Sequence, residues 1–208
     1  MNLTQVVTAL IPALNSDSLA NLVWWSETEL YQWLDEGAQA ICRATGLLAE
    51  TDSSITVVPG TAIYNLPARH LSSIATFAQA APNNIALRES SLAELEALSS
   101  TWPTDEGNFL ERVAHQPGAE QATFYPLLFT GRPNEVVEAI CYRYPSTISS
   151  GSPTVNLPEP LRDYFFFRAL GEARGKEGEA RMQEVAKSMR HMADTMAKVA
   201  VEYWGPAL

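Results

Sequence analysis

Chemistry-bearing residues are scarce in this 208-residue chain, and each scarcity excludes something. The only cysteines, Cys42 and Cys141, fall on a predicted helix and a predicted strand, where lone thiols read as small buried hydrophobes. The three histidines, His70, His115 and His191, are too widely separated to suggest a metal-ligand cluster. There is no glycine-rich phosphate loop, His-Glu-x-x-His, Cys-x-x-Cys or Gly-x-Ser-x-Gly elbow. These lacks leave no catalytic, cofactor-binding or metal-binding residue to name, and the expectation is that the protein is not an enzyme. No apolar run is long enough to cross a bilayer, and the first residues have neither the basic start nor the cleavage site of a signal peptide. Cytoplasmic synthesis without a membrane partner is the expectation.

Positive charge is also short. Residues 159–208 carry eight Lys or Arg and eight Asp or Glu, so the net charge of −10 lies in residues 1–158, where six Arg face sixteen acids. Tight nucleic-acid binding needs the opposite sign, because affinity comes from Lys and Arg displacing counterions from phosphates. An acidic wall past which DNA slides fits this balance, as does simple solubility.

What is present is organised around the last third. Residues 159–174 read as one helix, with Pro160 tolerated in its first turn. Lys176, Glu177 and Gly178 mark a break, and residues 179–203 read as a second helix. In that helix Met182, Val185, Met189, Met192, Met196, Val199 and Tyr203 alternate at spacings of three and four, forming one apolar seam along a rod of roughly 37 Å. The seam has two readings, core packing against the preceding helix or an interface with a partner. Tyr164, Phe165, Phe166 and Phe167 wrap more than one helical face, which predicts cover on several sides. Tyr203 and Trp204 beside Gly205 and Pro206 are either an end folded back on the bundle or a partner contact.

Upstream, Leu3, Val6, Val7, Leu10, Ile11 and Leu14 predict a short helix that Pro12 should kink or end. Ser26 with Glu29 is a capping box, and Trp25 with Leu30 a hydrophobic staple, for a helix ending near Gly46. The period then changes. Residues 55–58 and 61–64 predict a hairpin about Pro59 and Gly60, and residues 71–78 a strand returning through 85–87. Ser91 with Glu94 caps a short helix stopped by Trp102 and Pro103. Residues 103–122 read as a polar arm. Residues 124–130 and 136–144 predict a second hairpin about Gly131, Arg132, Pro133 and Asn134, and 146–154 a linker.

The fold class expected is α+β, mainly α. Its bundle comprises the N-terminal helices and a long C-terminal helical hairpin, with a small antiparallel β-rich insertion. One domain, 1–208, is expected, with N-terminal helices at 1–50, the insertion at 51–155 and the hairpin with its tail at 156–208.

The order of these pieces resembles the head-to-tail adaptor, or head-completion, proteins of tailed bacteriophages. The stretches that carry the likeness are WWSETELYQWLDEGAQAI, ITVVPGTAIYNLP, FYPLLFTGRPNEVVEAICYRYP and VNLPEPLRDYFFFRALGEA. The acidic arm at 103–122 departs from that pattern. The resemblance implies a non-catalytic virion protein at the head–tail interface. It forms a homo-oligomeric ring, usually twelvefold, under the portal protein. The ring lengthens a channel through which DNA passes without specific binding, and it docks the next connector or tail protein. By position, Val199, Tyr203, Trp204 and Leu208 become the portal contacts. Trp102, Arg132, Pro133 and Asn134 become contacts to neighbours or tail. The alternatives are a tail-side completion protein, a thiol-dependent hydrolase using Cys141, and a free cytosolic helical regulator.

Overall fold

The structure, a computed structural model, describes residues 1–14, 25–58, 61, 63–66, 69–78, 85–107, 110–115, 121–125, 128–129, 135–176 and 180–205. In chain order its elements begin with α1 (Thr4–Ala13), α2 (Glu27–Thr45), β1 (Ala49–Val57), β2 (Ile63–Asn65), β3 (His70–Ala78), β4 (Ile85–Ala86) and β5 (Arg88–Ser90). Then come α3 (Leu92–Leu98), β6 (Glu106–Gly107), β7 (Arg112–His115), β8 (Gln121–Tyr125), β9 (Leu128–Phe129), β10 (Glu135–Arg143), α4 (Arg162–Lys176) and α5 (Ala180–Trp204). The architecture is α+β and mainly helical, with a C-terminal helical hairpin and a β-rich insertion. The chain divides into two compact units, one of Met1–Leu48 with Tyr144–Leu208, the other of Ala49–Arg143.

In the helical unit the local signals act as expected. Ser26 Oγ accepts from the Glu29 amide, and the Glu29 carboxylate accepts from the Ser26 amide at 2.8 Å, so two orphan donors of α2 are satisfied together. Trp25 and Leu30 are both buried in the same core. Gly46 closes α2 in the left-handed region, φ 61°, where a side chain would be strained. Helix α1 runs one residue past Pro12, to Ala13. Phe165, wholly buried, sits in one core with Leu3, Leu10, Leu30, Leu34 and Ile41. Tyr164 is buried beside it and donates to the Gly37 carbonyl at 3.1 Å, whereas Phe166 and Phe167 are half-buried.

The expected seam of α5 is only partly inside, with Met189 and Met196 half-buried against the core. The buried line is Ala186, Ala193 and Ala200, while Met192, Val199 and Tyr203 are 43, 58 and 79 % exposed. Close approach explains the phase. A Cβ on Gly171 of α4 would lie 3.0 Å from Arg190 Cγ and 3.2 Å from the Arg190 backbone nitrogen of α5. Helices that near can hold only small residues between them, so size, not hydrophobicity, selects the facing positions. Arg190 then reaches back to Glu172 at 2.8 Å. Residues 177–179, where the break between the two helices was expected, lie outside the described residues.

In the second unit, one sheet has the order β1-β10-β3-β4, antiparallel throughout, and another β2-β8-β7-β5, whose β5–β7 pair is parallel. Strands β6 and β9 form a short parallel pair. Strands β3 and β4 return on each other as expected, and Ser91 with Glu94 makes the second capping box. Among the described residues, the strands of neither expected hairpin pair with each other. Strand β1 pairs with β10, and β2 with β8. The Thr61 amide does close a turn on the Val58 carbonyl at 3.1 Å, and the Tyr64 hydroxyl accepts from the Val58 amide at 2.9 Å and donates to its carbonyl at 2.8 Å, but the strands on either side pair elsewhere. Strand β10 lies between β1 and β3 instead of returning on β8. The expected polar arm contains strand β7, central in its sheet, with Leu110, Val113 and Ala114 wholly buried. Only two apolar residues, Val113 and Ala114, lie in this strand, too few to stand out from their polar neighbours.

Candidate functional site

The hairpin is antiparallel, so the start of α4 lies beside the end of α5. Between them runs a groove of about 610 Å³, walled by Leu161 and Tyr164 on one side and by Met196, Val199, Tyr203 and Trp204 on the other. Asp163 and Thr195 are its polar lining groups. The Tyr203 and Trp204 rings meet edge to face at 5.0 Å and 81°. Trp204 is half-buried against the helical core while Tyr203 projects almost free. Helix α5 ends there, with the Gly205 amide bonded to the Val201 carbonyl at 2.8 Å and Gly205 at φ 93°.

Three of the expected contact residues, Val199, Tyr203 and Trp204, are therefore brought together on one surface. Leu208 lies outside the described residues, as do Arg132, Pro133 and Asn134. Trp102, half-buried in a short 3₁₀ turn, belongs to the other unit. The opposite wall, Leu161, Asp163 and Tyr164, escaped the sequence reading. Its signal was the hairpin topology itself, which sets residues some forty apart against each other.

A second cleft, of about 400 Å³, runs on the far side of Asp163 between α1 and α4, lined by Gln5, Val6, Ala9, Arg162, Phe166 and Phe167. Arg162 donates to Gln5 Oε1 across it at 3.3 Å. The larger groove is an apolar trough with few polar groups, of a kind that can hold side chains of a partner.

Nucleophile chemistry finds little to work with. Cys141 is wholly buried in β10, and burial pushes the equally buried Cys42 thiol up to about 12. His70 pairs with Ser73 Oγ at 3.0 Å, His115 lies on β7, and His191 is exposed on α5. Among the described residues no three His, Cys, Asp or Glu side chains converge on a cation site, and no helix is long and apolar enough to cross a membrane.

No curated protein matches the chain. The family model described as SU10 adaptor protein matches residues 1–206, spanning both units and the groove. The chain thus belongs to the SU10 adaptor protein family.

Proposed function

We propose that this phage adaptor, a structural component of the virion, assembles as a ring under the portal. There it extends the DNA channel and offers a surface to the next connector or tail protein. The observation that carries the reading is the open apolar groove at the end of the hairpin, with Val199 58 % and Tyr203 79 % exposed on its rim. Helix α5 needs neither side chain to pack on α4, and a tyrosine above an apolar trough is the residue type that anchors interfaces. The portal contact is assigned to this groove. Trp102 and the segment holding Arg132, Pro133 and Asn134 are assigned to neighbouring copies or the tail. The acidic balance of residues 1–158 supports a channel that does not retain DNA.

Native mass measurement after mixing the protein with the portal ring of the same genome tests the reading. A discrete complex with one copy per portal subunit is expected. Tyr203→Ala should weaken it by about tenfold or more, as an interface anchor does. An intact portal ring that never binds would shift the protein to the tail-side position, and full binding by Tyr203→Ala would remove the groove as the contact.

A further inference from the structure

The groove carries one charge that the chain leaves unanswered. Asp163 lies in the first turn of α4, on the ridge between the two clefts, and lines both. It is exposed, and among the described residues its carboxylate has no hydrogen bond or ion pair. Its neighbour Arg162 is turned away, engaged by Gln5 at 3.3 Å and by Glu159 at 4.0 Å. Among the described residues Asp163 is the only charged one lining the larger groove; Lys198, the cation on this stretch of α5, does not line it. Glu202, next to Tyr203, is likewise exposed and unpaired among the described residues.

A first-turn aspartate favours the helix N-terminus wherever it points, but here it also sets a carboxylate in the wall of an apolar trough. An occupant that covered Asp163 with apolar or acidic atoms would strip water from the carboxylate and return nothing. A cation beside an apolar anchor answers both features of the surface at once. Resting on the portal-docking reading above, we infer that the groove takes a portal segment that presents a bulky apolar side chain next to a Lys or Arg, with the cation paired to Asp163. The apolar side chain enters between Leu161 and Val199, and the pairing fixes its register.

The test uses the full chain and the portal ring of the same genome, titrated at low and at high salt. Asp163→Asn should weaken binding about three- to tenfold at low salt and flatten the salt dependence, while Asp163→Glu keeps both near wild type. Asp163→Lys should weaken binding by more than tenfold, because it sets like charges together. Circular dichroism of each variant, unchanged from wild type, ties the loss to the surface. If Asp163→Asn and Asp163→Lys bind as wild type while Tyr203→Ala does not, the groove is the portal site but its occupant is not cationic, and the inference is overturned. If Asp163→Lys instead changes the mass of the protein's own oligomer with portal binding intact, the occupant is a second copy, which overturns it equally. A wild-type protein that never binds the ring removes the portal reading and this inference together.

Discussion

Moving two methyl groups from Val199 to position 193 should reveal which face of α5 is inside. Val199 is 58 % exposed and Ala193 is 0 % exposed, although the heptad pattern places Val199 on the apolar seam and Ala193 off it. At about 0.8 kcal/mol per buried methyl, Val199→Ala would forfeit roughly 1.6 kcal/mol from a fully buried site, hence about 0.7 kcal/mol here. The higher helix propensity of alanine returns about 0.5 kcal/mol, so the net change should stay within about 0.5 kcal/mol. Ala193→Val adds the same two methyls where no space exists, an overpacking cost of about 1–3 kcal/mol, plus the same ~0.5 kcal/mol of propensity. At roughly 2–4 °C per kcal/mol for a chain of this size, Ala193→Val should melt about 3–14 °C lower and Val199→Ala within about 2 °C of wild type. Thermal melts of both variants by circular dichroism, at one protein concentration, give the comparison. A larger loss for Val199→Ala than for Ala193→Val would refute the placement of the alanine line inside the hairpin.

Two further perturbations read the interior and the helix junctions. Both thiols should resist a disulfide reagent at pH 8, because with Cys42 at about 12 its thiolate fraction there is only about 10⁻⁴ and Cys141 is wholly buried; rapid labelling of either thiol in the native protein would contradict their burial. Glu29 is held below its ordinary carboxyl value of 4.5, first by the Lys176 ammonium and then by the Ser26 amide. The unfolded chain therefore takes up this proton at higher pH than the folded one. The stability Glu29 contributes is complete above about pH 4.5 and is lost as pH falls through the lower folded value. Lys176→Met should raise the folded value towards the unfolded one and make the acid limb of the stability curve shallower, and urea titrations between pH 3 and 6 that superimpose for the two proteins would remove this link between α2 and α4.

What could be read from the sequence was whatever depends on neighbours in the chain. Both capping boxes, the Gly46 terminus, the short β3–β4 return and the two long C-terminal helices need only a few consecutive residues to specify them. The failures share a cause, which is that the deciding partner is remote. Strand β10 satisfies itself on β1 and β3 across 59 to 93 residues, so the tight turn expected beside it says nothing of its partners. Strand β7 is interior to its sheet with only Val113 and Ala114 as buried apolar residues of its own. On α5 the pattern found the helix and one wall of the groove. Val199 and Tyr203 were legible as apolar, but their exposure follows from the phase of α5, whose alanines face inward where Gly171 of α4 comes close to Ala186 and Arg190.

That closeness bears directly on the groove. A long helix with one apolar face would normally spend it on its hairpin partner, leaving a polar exterior. Helix α5 packs on its alanines, with Met189 and Met196 half-buried beside them, and keeps a second line, Met192, Val199 and Tyr203, exposed along its C-terminal half. Alanine burial contributes little area per residue, which makes the line of methionine, valine and tyrosine an expensive surface to leave in water. An exposed apolar line survives in a soluble chain when something else covers it, and the line here runs into the groove that Asp163 closes on its other wall. The upper part of α5 at Met192 is therefore part of the same surface as Tyr203. A partner seated at Tyr203 that continues along the helix should protect the amides of α5 back to Met192 from hydrogen exchange. Protection confined to the last turn would limit the contact to the groove itself.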